Sequence, residues 1–235
     1  MPKVKQIKVT DIRVPTSDTL QGSDPFHKKP NYSCVHTIIQ LDNGFEGLSV
    51  CFTLGAGNDW IAYGVKDIAK LLTNFEFDDF IHNPGEIYKS INDHHQLRWL
   101  ADGVNRMAMG CIINALWDAW AKMENKPMWK LLVDLPPQLI IDSIDWRYMQ
   151  DALSKEEALK ILEERKNEHK ILEEKFKTKG PKAYSTAGWL GLTDNQIAET
   201  INEMMQQGFD CFKMKVGQNL TDDLERLAFI RGIIG

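Results

Sequence analysis

Near the end of the chain, the stretch Gly208-Phe209-Asp210-Cys211-Phe212-Lys213-Met214-Lys215-Val216-Gly217 alternates apolar and charged residues. A period of two puts Phe212, Met214 and Val216 on one face of a strand and Lys213 and Lys215 on the other. Amphipathic segments precede and follow it, the pattern of a βα unit in a parallel sheet or barrel. In a barrel the face turned away from the helices is the interior, so both lysines would look inward at the C-terminal mouth. Two ammonium groups side by side disfavour each other's charge, and partial burial disfavours it further. Together these favour a lysine able to take up a proton near neutral pH. An ordinary edge strand with a solvated lysine face shows the same alternation.

The rest of the chain reads as two different halves. Residues 3–15 alternate as a strand that ends at Pro15, and 34–42 and 47–53 give two more, joined by the hairpin signal Asp42-Asn43-Gly44. Between the first two strands, 16–32 is a polar, turn-rich loop. Its length, unusual between neighbouring strands of a meander, suggests a functional loop. A helix capped by Asn58 follows the Leu54-Gly55-Ala56-Gly57 break. The longest helix is expected over about 99–125, with Ala108, Cys111, Ala115 and Ala119 in a stripe of small residues suited to close packing. Pro136-Pro137 reads as a domain boundary. After it, 139–145 is strand-like, and Ser154 with Glu157 forms a capping box for a charged helix to about Lys179. A short strand at 183–186, a helix from Thr193 or Asp194 to Gln207, the lysine strand and a helix capped by Thr221 complete the chain. About 100 residues with two or three βα repeats cannot close an eight-stranded barrel.

Composition narrows the function classes. A net charge of −5 and a pI near 5.7 give no reason to expect nucleic acid or an anionic membrane as partner. No apolar run approaches the roughly 20 residues that span a bilayer, and the alternating N-terminus lacks the apolar core of a signal peptide. The expected location is cytoplasmic or mitochondrial, with no clear targeting segment. Cys34, Cys51, Cys111 and Cys211 are scattered and read as free thiols in a reducing compartment. Leu54-Gly55-Ala56-Gly57 lacks the lysine of a phosphate loop, and His94-His95 lacks a third ligand at helical spacing, so both read as structural.

Several phrases in order carry a resemblance. They include Ile12-Arg13-Val14-Pro15-Thr16-Ser17, Gly22-Ser23-Asp24, Pro30-Asn31-Tyr32-Ser33, Phe52-Thr53-Leu54-Gly55 and Gln96-Leu97-Arg98-Trp99. Asn114-Ala115-Leu116-Trp117-Asp118, Lys126-Pro127-Met128-Trp129-Lys130, Ile144-Asp145-Trp146-Arg147-Tyr148, Trp189-Leu190-Gly191 and Phe212-Lys213-Met214-Lys215-Val216-Gly217 continue the series. From about residue 5 to residue 235 the chain resembles the mandelate racemase-like sugar-acid dehydratases of the enolase superfamily, in particular the L-fuconate dehydratase group.

The resemblance implies an α+β capping domain over 1–136, a three-stranded antiparallel meander plus helices. It implies the first βα units of a modified TIM barrel over 137–235, with the barrel incomplete. It implies an acid-sugar substrate, a six-carbon aldonate, converted to a 2-keto-3-deoxy acid in carbohydrate catabolism by α-proton abstraction and loss of water. Lys215 matches the α-proton base, and Lys213 matches the residue that lies against the substrate carboxylate. Gly22, Ser23, Asp24 and Tyr32 match the loop that closes over the polyol. Mg²⁺ serves the full-length family, but its three carboxylate ligands and a histidine acid belong to later strands, so no metal ligand is assigned here. The chain also departs from the family phrase at Gly180-Pro181-Lys182-Ala183-Tyr184. Turnover by these residues alone is therefore not expected. A non-catalytic truncated isoform that binds a partner is the alternative, and homo-oligomerisation of a full-length chain stays open.

Overall fold

β1 (Val4–Ile12) and β2 (Ser33–Leu41) pair antiparallel, from Val4 opposite Leu41 to Ile12 opposite Cys34. The computed structural model describes residues 1–100 and 102–235. Gly44, at φ +92°, takes the left-handed position of the turn that leads into β3 (Glu46–Thr53), and the sheet order is β1-β2-β3. Along β2 burial alternates strictly, with Val35, Thr37, Ile39 and Leu41 inward.

Five helices pack with this sheet or with one another: α1 (Asn58–Ala69), α2 (Phe77–His82), α3 (Pro84–Asn92), α4 (Val104–Met123) and α5 (Met128–Asp134). α4 lies directly on β3. A Cβ on Gly47 would stand 1.8 Å from the Ala115 carbonyl oxygen, so helix and strand meet where neither carries a side chain larger than methyl. Ser49 Oγ donates to the Cys111 carbonyl at 2.6 Å and the Leu48 amide to Asp118 at 2.7 Å, which fixes the same contact. The stripe of small residues thus has the role its sequence predicts. The expected helix over 99–125 is shorter than read, and its first part falls on Ala101, which lies outside the described residues.

Asn58 does not cap α1; Gly57 does, at φ +82°, while the buried Asn58 amide bonds Asp11, the Cys34 carbonyl and Thr53 Oγ1 and so ties the three strands together. The strand expected at 139–145 is instead α6 (Pro137–Asp142), because Pro137 suits a first helical turn and the apolar run that follows is compatible with either state. α6 and α7 (Lys155–Arg165) share a small core of Ile141, Trp146 and Ala158. The Ser154 capping box is present, and the charged helix continues after a tight turn as α8 (His169–Lys179).

β4 (Ser185–Gly188) pairs in parallel with β5 (Phe212–Met214), with α9 (Asp194–Gln206) between them in sequence and α10 (Leu220–Ile234) following. Thr193 caps α9 through a capping box with Gln196. At α10 the cap is Asn219 rather than Thr221, because its Oδ1 accepts the amides of Thr221 and Asp222. Ala187, Ile197, Ile201 and Ile230 form the core here.

By contacts the chain separates into two compact units. One comprises Met1–Ile12, Cys34–Thr53 and Gly57–Glu174; the other comprises Arg13–Ser33, Leu54–Ala56 and Lys175–Gly235. The loop after β1 therefore belongs with the βα segment and not with the sheet that carries it. Among the described residues no helix is long and apolar enough to cross a membrane.

Candidate functional site

β4 and β5 come together closely because Gly188 faces Met214, where a Cβ would stand 2.1 Å from the sulfur. The Lys215 amide then donates to the Gly188 carbonyl at 3.0 Å, holding the end of the lysine strand beside the end of β4. Each lysine lies over an aromatic ring supplied from that side. Lys213 Nζ is 5.7 Å from the centroid of Tyr184, and Lys215 Nζ is 5.4 Å from that of Trp189, both within cation–π range. Lys213 is exposed and Lys215 half-buried. In the segment that departs from the family phrase, Lys182 pairs with Asp210, and Tyr184 provides the surface under Lys213.

The loop Arg13–Ser33 is cross-linked throughout. Thr16 Oγ1 donates to the Pro30 carbonyl (2.8 Å) and accepts from the Tyr32 amide (2.9 Å), while the Ser17 amide donates to Asn31 Oδ1 (3.1 Å). The Asn31 amide reaches the Leu54 carbonyl at 3.1 Å, and Arg13 Nη1 reaches the Gly55 carbonyl at 3.2 Å. Gly22, at φ +89°, lies against the Tyr32 ring, where a Cβ would come within 2.5 Å, and its carbonyl accepts from the Tyr32 hydroxyl at 3.2 Å. The Tyr32 ring meets Trp189 edge-on, centroids 5.8 Å apart. Burial, with the Asp24 charge adding to it, pushes the Tyr32 phenol up, so it remains a hydroxyl donor.

Asp24 turns into its own loop. Oδ1 accepts the Phe26 amide (2.9 Å) and the His27 amide (2.7 Å), and the His27 ring lies 3.1 Å away. The His27 amide, followed by the His27 ring and the Phe26 amide, holds the Asp24 carboxyl below its usual range. Ser23 is buried between the loop and the turn after β4.

The structure therefore brings Tyr32 and Lys215 onto one ring, Trp189, and sets Gly22 against Tyr32. It places Lys213 beside Tyr184 and aims Asp24 at His27. Trp189, Tyr184 and Arg226, whose guanidinium donates to the Trp189 carbonyl, were not read from sequence as site residues. The signal available for Trp189 was its place directly after β4, in the phrase Trp189-Leu190-Gly191.

A magnesium site needs converging carboxylates. Among the described residues no group of three or more His, Cys, Asp or Glu side chains could hold a metal ion. Asp24 is engaged by His27, Asp210 by Lys182, and Asp223 by the Gly217 amide at 2.7 Å. The donor set does not fit that ion.

No family model matches the chain. It is 38% identical over 238 residues to mitochondrial enolase superfamily member 1 of Xenopus laevis, across 99% of this chain and 54% of that protein. It is 34% identical over 229 residues to L-galactonate dehydratase of Hypocrea jecorina, across 96% of this chain and 51% of that protein. The crystal structure of human mitochondrial enolase superfamily member 1 superposes with a TM-score of 0.93 at 35% identity, over 99% of this chain and 54% of the other. The fold is shared with an L-talarate/galactarate dehydratase from Salmonella typhimurium liganded with Mg and L-lyxarohydroxamate. There the TM-score is 0.64 at 21% identity, over 100% of this chain and 49% of the other. The chain spans about half the length of the curated relatives it matches.

Proposed function

We propose, from its homology to the enolase superfamily, that this chain supplies the substrate loop and the base-bearing strand of a sugar-acid dehydratase. The observation that carries the reading is Lys215 at the end of β5, over a ring that Tyr32 also touches. The substrate is a six-carbon aldonate such as L-fuconate or L-galactonate. Residues 1–136 are the cap and 137–235 the opening of the barrel.

Lys213 lies against the substrate carboxylate as a fixed positive charge. Lys215 takes the α-proton, and the C–H pair moves toward the carboxylate to give an enediolate. That pair returns to form the Cα–Cβ double bond while the β-hydroxyl takes a proton from a general acid outside these residues and leaves as water, and the resulting enol tautomerises to the 2-keto-3-deoxy acid. Gly22, Asp24 and Tyr32 border the polyol, with Ser23 beneath them. The Mg²⁺ of the Salmonella enzyme has no ligand set among the residues described, and no acid for the departing hydroxyl is assigned among them. These residues bind and deprotonate, and they leave the enediolate unstabilised.

The test joins this chain to the remainder of the Xenopus laevis relative and assays conversion of L-fuconate and L-galactonate with Mg²⁺, alongside the chain by itself. Turnover is expected only in the joined protein and is lost on Lys215→Ala. A joined, folded protein that converts neither acid overturns the reading. Exposed Leu220 and Leu224 on α10 favour a second reading, in which the chain acts by binding a partner. Lys215-independent assembly with a partner and no turnover in the joined protein would select it.

A further inference from the structure

Ser23 matches a substrate-contacting position in the family pattern, yet its surroundings leave it no free face. It is 2% exposed. Its Oγ donates to the Leu20 carbonyl at 2.7 Å and accepts from the Gly191 amide at 2.8 Å, and its own carbonyl accepts from the Leu190 amide at 3.2 Å. A hydroxyl has one proton to give, and this one is spent inside the loop. The partner surface is equally committed. A Cβ on Gly191 would stand 2.6 Å from Leu20 Cβ and 3.0 Å from Ser23 Oγ, so only glycine lets the turn approach. Leu20 is held at φ +56°, a left-handed conformation that a leucine keeps only where its surroundings enforce it. From the other side Arg226 donates to the Trp189 carbonyl. The turn 189–192 is thus held by the loop on one flank and by α10 on the other.

We propose that Ser23 is a positioning residue rather than a substrate ligand. It clasps the loop Arg13–Ser33 to the turn after β4 and thereby sets the Trp189 ring between Tyr32 and Lys215. The two bonds to consecutive amides fix the turn's direction as well as its distance. Trp189 emerges from the same turn, so its ring position follows from the clasp. This deepens the reading of Lys213 and Lys215 as the acid-sugar site and rests on it.

The test needs no turnover, so its failure and that of the dehydratase reading are separable. The chain is labelled with 5-fluorotryptophan, and the Trp189 signal is identified by its loss in Trp189→Phe. Ser23→Ala should shift that signal and leave the other tryptophans in place. Amide exchange should rise at least tenfold in peptides covering 14–33 and 186–193, with α9 unchanged. Thr19→Ala, in the same loop and without a bond to the turn, should do neither. Gly191→Ala should reproduce the Ser23→Ala pattern and supplies the reading if Ser23→Ala does not fold. An unmoved Trp189 signal in a folded variant overturns the proposal. So does exchange that rises uniformly over the βα segment, which would make Ser23 a residue of general stability.

Discussion

The sheet-and-helix unit and the βα unit are held together by different means. In the first, Phe77, Phe80, Ile112 and Leu116 are fully buried, and Trp117 and Trp120 stack at 5.2 Å with Phe80 edge-on to both. In the second, the buried apolar core is Ala187, Ile197, Ile201 and Ile230, while Val216, just after β5, and Leu220 and Leu224 on α10 stay 45%, 75% and 59% exposed. Parallel strands are ordinarily covered on both faces. What the βα unit lacks in buried area it replaces locally with hydrogen bonds and ring contacts around the loop Arg13–Ser33. The candidate chemistry sits in the unit with less packing behind it. Its geometry depends on directional bonds, which fail singly, while the other unit's geometry depends on packing, which fails with volume.

The sharpest break of that contrast comes from cavities. Phe80→Ala should cost about 3–5 kcal/mol of urea stability, and Ile201→Ala about 2 kcal/mol, because partly exposed neighbours can collapse around the smaller hole. Equal losses would mean that the two cores are equally packed. A smaller effect is expected at the exposed face of α10. Leu220→Asp with Leu224→Asp should lower hydrophobic-dye binding several-fold while changing stability by no more than about 0.5 kcal/mol. Undiminished dye binding would place the exposed apolar surface elsewhere.

The smallest effect is electrostatic. The Asp24 carboxyl is held below its usual 3.8 chiefly by the His27 amide, so the folded loop favours its ionised form. Its contribution is complete above about pH 4 and is lost as pH falls through the lowered value. The Phe26 and His27 amide resonances should therefore titrate with a midpoint below 3.8, and Asp24→Asn should remove that titration. A midpoint above 3.8 would show that the loop bonds do not favour the charged carboxylate.

What could be read from sequence follows the range of each interaction. The Asp42-Asn43-Gly44 hairpin and the small-residue stripe of α4 are local patterns with one physical meaning, and both are in the structure. The run Leu139-Ile140-Ile141 was misread because a short apolar stretch does not distinguish a strand from a buried helical turn. Asn58 looked like a cap because its inward partners, Asp11 and Cys34, are distant in sequence. At the site, the alternation of Lys213 and Lys215 was legible in five residues. The aromatic surfaces beneath them were not, since Tyr184 and Trp189 flank another strand, β4, one directly before it and one directly after. The engagement of Ser23 was invisible for the same reason.

Ser23 and Gly191 are bonded across 168 residues of chain. On a ribosome adding about 5–20 residues per second, the loop leaves roughly 10–30 s before its partner turn is made. The rest of the sheet-and-helix unit, Cys34–Thr53 and Gly57–Glu174, is synthesised within that interval. The loop therefore spends it without the turn it clasps, its exposed Phe26 and the adjacent Lys28 and Lys29 open to proteases or chaperones. Within these 235 residues the site is begun early and joined late.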